Sequence, residues 1–253
     1  MGAYDLINLE TWNMYGRMAA YILAGVSLVI LLAHVVKLMA TRDMKSKYDY
    51  INLYEIKVLW YAGVVLIVAA GSFSNTFILE SDVIWFFVRI FVTVMVGLIL
   101  GVVLSNVLRF YYPFYIEKRL KKLRYTPRTS PKSGKAMKLL SEDEEDVYLD
   151  EGMQAEENVF SVDYDVWIDE ETGYTKIEKY SGHLHALRCP ECNYQTFKVV
   201  REEILESPSD IKEGQLMKFF KCDYCEHKER KSFRIAKLHS VKYSQPDKVV
   251  SMQ

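Results

Sequence analysis

Three stretches of nearly unbroken apolar sequence dominate the first half of this 253-residue chain: Met18 to Met39, Val58 to Leu79 and Val83 to Leu108. Each holds about the 20 residues that a helix needs to cross a hydrocarbon layer of roughly 30 Å. Backbone inside such a layer must satisfy its own hydrogen bonds, and a helix does so. The sequence therefore predicts three transmembrane helices, at about 18–39, 56–79 and 83–112, within a helical region 18–115. A net charge of -1 and a hydrophobic content of 50% would suit a soluble protein equally well. The clustering of the apolar residues is what sets the class.

A cleaved signal peptide is the competing reading of the first stretch. Residues 1–17 carry acids and a single Arg17 in place of a basic start, the apolar run is too long, and no small-residue cleavage site follows it. The first helix is expected to remain. Orientation follows from the basic residues. The first loop holds Lys37, Arg42, Lys45, Lys47 and Lys57, the second loop around Glu80 and Asp82 holds none, and a dense group follows the third helix. Basic residues stay on the cytoplasmic side. The expectation is a multi-pass protein of the inner (plasma) membrane, with residues 1–17 outside and the C-terminal region in the cytoplasm.

The third helix runs into an aromatic group that includes Phe110, Tyr111 and Tyr112, followed by Lys118, Arg119, Lys121 and Lys122. Such rings settle at headgroup depth and such cations face anionic lipid, so these seven residues are the expected membrane interface and lipids the first expected partner. The charge then reverses. Residues 116–138 hold nine Lys or Arg against one Glu, giving +8, whereas residues 139–172 hold fourteen Asp or Glu and no Lys or Arg, giving -14. Residues 116–158 read as a basic stem and a solvated acidic linker. The acidic block argues against nucleic acid as a ligand, because phosphates would be repelled.

Order is expected again from Val159. Val159 to Ile168 and Thr175 to Tyr180 alternate apolar and polar residues around a turn at Asp169 to Tyr174, which reads as a hairpin. Further strands are expected at Ala186 to Leu187, Gln195 to Glu203, Leu216 to Lys221 and Arg230 to Leu238. This places a small all-β domain at 159–243, with a tail at 244–253. All four cysteines of the chain lie inside it, as Cys189-Pro-Glu-Cys192 and Cys222-Asp-Tyr-Cys225, separated by 29 residues. Two thiolates from one tight knuckle reach the same ion and a second knuckle completes a tetrahedron, so Cys189, Cys192, Cys222 and Cys225 are the predicted ligands of one structural zinc ion. A reducing cytoplasm favours metal over disulfides. The fold class expected is thus a three-helix transmembrane region followed by a small all-β cytoplasmic zinc-ribbon domain.

The segments Arg188-Cys-Pro-Glu-Cys-Asn-Tyr-Gln-Thr-Phe, Arg201-Glu-Glu-Ile-Leu-Glu-Ser-Pro-Ser, Phe220-Lys-Cys-Asp-Tyr-Cys-Glu-His-Lys and Ile235-Ala-Lys-Leu follow one another in this order. Over roughly Trp167 to Ser240 the sequence resembles the zinc-ribbon tail of bacterial TPM-domain membrane proteins. The resemblance implies a ribbon fold with the four cysteines as metal ligands. It departs from the family at Asn193 and Glu226, where glycines usually follow each knuckle, in lacking an upstream knuckle, and in lacking the TPM domain, so no activity of that domain is implied. Asn tolerates a left-handed backbone, Glu less readily. Because rubredoxin-like iron usually has glycine there, the two residues favour zinc.

Three histidines, His183, His185 and His227, lie near the cysteines and are expected to be polar surface groups. Within the apolar stretches, His34 and Lys37 lie near the cytoplasmic end, and Arg89 is expected to snorkel outward or to pair with Glu80 or Asp82. No buried carboxylate is expected there. Gly97, Gly101 and Ser105 place small residues on one helix face at intervals of four, a surface against which another helix packs closely. No catalytic motif is present. The function expected is that of a non-enzymatic membrane protein whose ribbon is an interaction or assembly module, as an accessory subunit of a larger membrane complex. Its partner is expected to be another membrane or cytoplasmic protein, or a second copy. The alternative is a component of a transport or energy-coupling assembly that uses Arg89 and the Gly97/Gly101 face.

Overall fold

The computed structural model describes residues 9–77 and 83–238. The chain divides into two compact units, Met1–Arg128 and Thr129–Gln253. The first unit contains α1 (Leu9–Ala40), α2 (Met44–Tyr50), α3 (Ile56–Ser74), α4 (Val83–Asn106) and α5 (Tyr112–Arg124). A π-helical turn at Ile51–Glu55 fuses α2 to α3, and a second at Val107–Tyr111 fuses α4 to α5. Three helices long and apolar enough to cross a membrane result, Glu10–Ala40, Met44–Ser74 and Ile84–Arg124. The predicted span 18–39 falls within the first; the span 56–79 overlaps the second, which begins earlier and ends at Ser74; the span 83–112 matches the third, which continues to Arg124. The Glu80 and Asp82 loop, the tail 244–253 and residues 1–8 lie outside the described residues, and residues 9–17 of the expected external N-terminus are the start of α1.

Local chemistry explains the start of the second helix. Asp43 caps α2 by accepting a hydrogen bond from the Ser46 amide at 2.8 Å. Across the bundle, the Ser27 hydroxyl donates to the Ala62 carbonyl at 2.9 Å and joins α1 to α3. A Cβ on Gly63 would lie 2.4 Å from the Leu104 side-chain tip, so Leu104 of α4 packs into the space that this glycine of α3 leaves. Ile51, Ile116 and Leu120 form a buried cluster with Leu38, Ile56 and Leu123 packed on it, so one face of the basic stem helix is held by α1 and the α2–α3 junction.

The second unit holds β1 (Lys138–Leu139), α6 (Glu142–Glu145), α7 (Glu151–Asn158), β2 (Val162–Ile168), β3 (Thr175–Ser181), β4 (Phe197–Glu206), β5 (Gly214–Cys222) and β6 (Lys228–Ile235). They form two antiparallel three-stranded sheets, in the orders β1-β2-β3 and β4-β5-β6. The expected hairpin is β2–β3, closed at Asp169, whose amide donates to the Tyr174 carbonyl at 2.8 Å. Of the short strand expected at Ala186 to Leu187 only a bridge between Leu187 and Phe197 forms.

The acidic segment, expected as a solvated linker, is folded. Ser141 and Glu144 form a reciprocal capping box at the start of α6, and Asp150 caps α7 by accepting from the Met153 amide at 2.7 Å. Leu149 packs with Val162, Tyr164 and Val166 in one buried cluster, with Leu140 and Met153 against it. Carboxylates are favoured in the first turn of a helix, and a few apolar residues among them suffice to fix the segment on β2. Charge counting sees the acids and overlooks the caps and the apolar face.

Burial of Glu145 carries a thermodynamic consequence. Loss of water pushes its carboxyl up to about 7, the Val166 amide opposes this by donating at 3.2 Å, and Glu157, Asp165 and Asp163 add repulsion. The folded chain therefore holds this proton more tightly than the unfolded chain. The associated stability is fully present below pH 4.5, the ordinary value, and is lost as the pH rises to about 7. Glu145→Gln keeps the acceptor for Val166 and removes the charge. It is expected to stabilise the unit by on the order of 2 kcal/mol at alkaline pH and by much less in mild acid. Thermal unfolding of the detergent-solubilised chain at two pH values measures this, and an equal gain at both would contradict it.

Candidate metal centre

Each cysteine pair sits on a tight turn that continues a strand. At the first knuckle the Asn193 amide donates to the Cys189 carbonyl at 3.0 Å, and the Cys189 amide to the Tyr194 carbonyl at 2.8 Å. At the second, the Cys222 amide donates to the His227 carbonyl at 2.9 Å. Closing turns this tight needs a left-handed residue after the second cysteine, and Asn193 and Glu226 adopt it with φ of 64° and 60°. The usual glycines are thus replaced without loss of the knuckle geometry. Residue type at these two positions therefore does not distinguish zinc from iron.

The two knuckles bring four sulfurs together. All four lie within 4.8 Å of one another, with Cys189 to Cys225 at 3.6 Å and Cys192 to Cys222 at 3.7 Å. A tetrahedral ion with metal–sulfur bonds of about 2.3 Å requires sulfur separations of about 3.8 Å, so the arrangement fits one metal ion. All four cysteines are free thiols. Burial raises the Cys222 thiol, but the Thr196 hydroxyl and the Cys225 and Tyr224 amides outweigh this and hold it at about 6. Burial and the three neighbouring sulfurs push Cys192 up to about 12. One thiolate is stable here alone; several at this spacing repel one another and need a cation.

Around the sulfurs lies a hydrogen-bonded shell, with Cys189 and Cys222 buried and Cys225 exposed. Thr196 Oγ1 is 3.0 Å from Cys222 Sγ, and the Cys225 amide donates to the same sulfur at 3.4 Å. The Phe197 and Phe220 rings stack at 5.3 Å beside buried Cys189 and Cys222. Helix α7 supports the first knuckle. A Cβ on Gly152 would lie 2.2 Å from the Tyr194 ring, the Tyr194 hydroxyl donates to Asp150 at 3.1 Å, and the Gln195 amide donates to Glu156 Oε1 at 2.6 Å. Glu156 also accepts from Lys179 at 2.7 Å and from the Tyr164 hydroxyl, which links the knuckle to β2 and β3. Sequence reading missed this support. The available signal was the Asp150 cap with glycine two residues into the helix.

His183 and His185 are exposed, lie outside any strand and do not join the sulfur group. His227 packs its ring 5.9 Å from Phe197 without reaching the sulfurs. Searches of protein-family models, curated proteins and solved structures find no match to this chain. The likeness to a TPM-type ribbon tail therefore rests on the residues quoted above.

In the membrane unit, Gly97, Gly101 and Ser105 line a cleft of about 890 Å³ between α1, α3 and α4. A Cβ on Gly97 would touch Ile67 at 3.7 Å, whereas one on Gly101 would meet nothing within 4 Å. The stripe is only partly covered by the chain's own helices. Arg89 donates to the Phe77 carbonyl at 3.0 Å; its expected partners Glu80 and Asp82 lie outside the described residues. Phe110, Tyr111, Lys118, Lys121 and Lys122 are exposed.

Tyr112, half-buried, and Arg119, still exposed, engage a carboxylate that the sequence did not single out. Glu55 is 1% exposed. It accepts from the Tyr112 hydroxyl at 2.8 Å and from Arg119 at 2.9 and 3.1 Å. His34 Nε2 lies 3.6 Å from its other oxygen, and His34 Nδ1 meets the Tyr50 hydroxyl at 3.0 Å. His34 is therefore buried in this cluster and does not reach outward. The second helix begins at Met44 and the π-helical turn at Ile51–Glu55 changes the phase of its residues, which no apolar run reveals.

Four substitutions test these sites. Cys222→Ser is expected to remove bound metal from the purified chain, measured by elemental analysis. Gly152→Val keeps all four ligands, displaces α7, and is expected to weaken metal retention about ten- to a hundredfold in chelator competition. Glu55→Ala leaves Arg119 and His34 without their partner and is expected to destabilise the membrane unit by about 3 kcal/mol. Tyr112→Phe costs about 1 kcal/mol, so thermal unfolding in detergent should rank the two in that order.

Proposed function

We propose that this chain is a non-enzymatic, multi-pass inner-membrane protein, with its N-terminus outside and its ribbon unit in the cytoplasm as an interaction and assembly module. It serves as an accessory subunit of a larger membrane complex. The observation that carries this reading is the closed set of four sulfurs, which leaves no position open for a substrate or an activated water. The ion assigned is structural zinc, which holds four thiolates without redox chemistry. The ribbon resemblance and the expected reducing compartment support that choice.

Two further features support a docking role. Strands β4 and β6 carry exposed side chains along most of their length, so the sheet presents surface well beyond its small metal-side core. The partly uncovered Gly97 and Gly101 stripe offers an intramembrane surface for a partner helix. Arg89 is engaged by a backbone carbonyl and lends no weight to a transport pathway.

Affinity purification in mild detergent is expected to recover a stoichiometric partner protein that is lost on Cys222→Ser, while protease protection shows both variants inserted in the membrane. Recovery of the same partner from the variant, or of none from the native chain, would count against the proposal.

A further inference from the structure

The two faces of the β4-β5-β6 sheet differ in charge. Successive residues of a strand point to opposite faces and registered partners share one. Lys198, Lys221 and Lys228 stand side by side across the three strands, as do Arg201, Phe219 and Arg230, and Arg234 stands beside Gln215. One face therefore gathers six cations, with Glu203 and Glu206 as its two registered acids. The other carries Val199, Ile204, Leu216 and Phe233, with Glu202 paired to Lys218 at 2.6 Å and Glu229 to Lys231 at 3.2 Å. It is apolar and neutral.

On the basic face, Lys198 pairs with Asp223, Lys221 with Glu226 at 3.1 Å and Arg201 with Glu203 at 2.8 Å. Lys228, Arg230 and Arg234 make no ion pair among the described residues and are exposed. Between Arg201, Phe219, Lys228 and Arg230 lies a shallow groove of about 540 Å³. Two of these unpaired cations, Lys228 and Arg230, line the groove with paired Arg201 and with Glu229, and Arg234 stands further along the same face; the cations match a phosphate-bearing headgroup in charge.

The geometry points to this face as a docking surface for an anionic lipid bilayer. The argument for lipid is covalent. The same chain carries three helices long and apolar enough to cross a membrane, and tethering raises the effective concentration of the tethered surface to millimolar levels, so a few unpaired cations are sufficient. Each is worth about a fivefold gain in affinity near an anionic leaflet, and the gain falls within a Debye length. A single-stranded nucleic acid would need an open aromatic face for stacking. Phe219 is already covered by the Arg201 guanidinium, 4.4 Å from its ring.

The experiment uses the full chain in nanodiscs, with the photoreactive residue benzoylphenylalanine placed at Ser232→benzoylphenylalanine on the basic face or at Lys231→benzoylphenylalanine on the neutral one. With phosphatidylglycerol discs, lipid adducts from position 232 are expected to exceed those from 231 by about fivefold or more. They should fall at least about threefold between roughly 0.05 and 0.5 M salt. The triple variant Lys228→Glu, Arg230→Glu, Arg234→Glu is expected to lose the adducts while keeping its bound metal, which reports a folded ribbon. Equal labelling from the two faces, unchanged labelling in phosphatidylcholine discs, or RNA replacing lipid as the adduct when both are present would overturn the proposal. The readout is lipid, so its failure is separate from failure to recover a partner protein.

Discussion

Four thiols held within a few ångströms of one another cannot all ionise, because each new thiolate meets the charge of the last. A single cation at their centre turns that repulsion into the strongest set of contacts in the ribbon. The consequence reaches beyond the sulfurs. The buried cluster of the β4-β5-β6 sheet consists of two cysteines and two phenylalanines, and most of the remaining strand residues face outward. A sheet so thinly covered has little apolar area with which to offset the entropy of ordering its chain. Metal bound there would therefore act as folding energy for this sheet.

The acidic residues just before the hairpin serve the same end. Once α7 is capped by Asp150, its glycine lets the helix approach Tyr194, and Glu156 joins the knuckle backbone to β2 and β3. Burial raises Glu156, but Lys179, the Tyr164 hydroxyl and the Gln195 amide outweigh this and hold its carboxyl below the ordinary carboxylate value. Glu145, which accepts one backbone amide among acidic neighbours, goes the opposite way. Two acids of one short segment are thus separated by their partners alone. In the membrane unit Glu55 plays a comparable part, tying α1, the α2–α3 junction and α5 through His34, Tyr112 and Arg119.

Much of this was legible in the linear chain. Apolar run length gave three helices, alternation gave the β2–β3 hairpin and three later strands, and paired spacing gave the four sulfurs. These signals are local: each depends on residues a few positions apart. What escaped was non-local. Glu55 reads as a loop residue beside Lys57 until the π-helical turn carries it into the bundle, and residues 139–158 read as solvated spacer until caps and apolar contacts with β2 are seen.

Amino-acid sequence alone determined that this chain has membrane-length apolar segments, a reversal of charge and one four-thiol set, because composition and spacing are properties of the chain itself. Only the tertiary structure decided which charges are buried, which small residues stay uncovered, and that the cations of β4, β5 and β6 share a face. Those outcomes depend on strand register, helix phase and the approach of distant segments, and a shift of one residue in any of them would reassign every side chain.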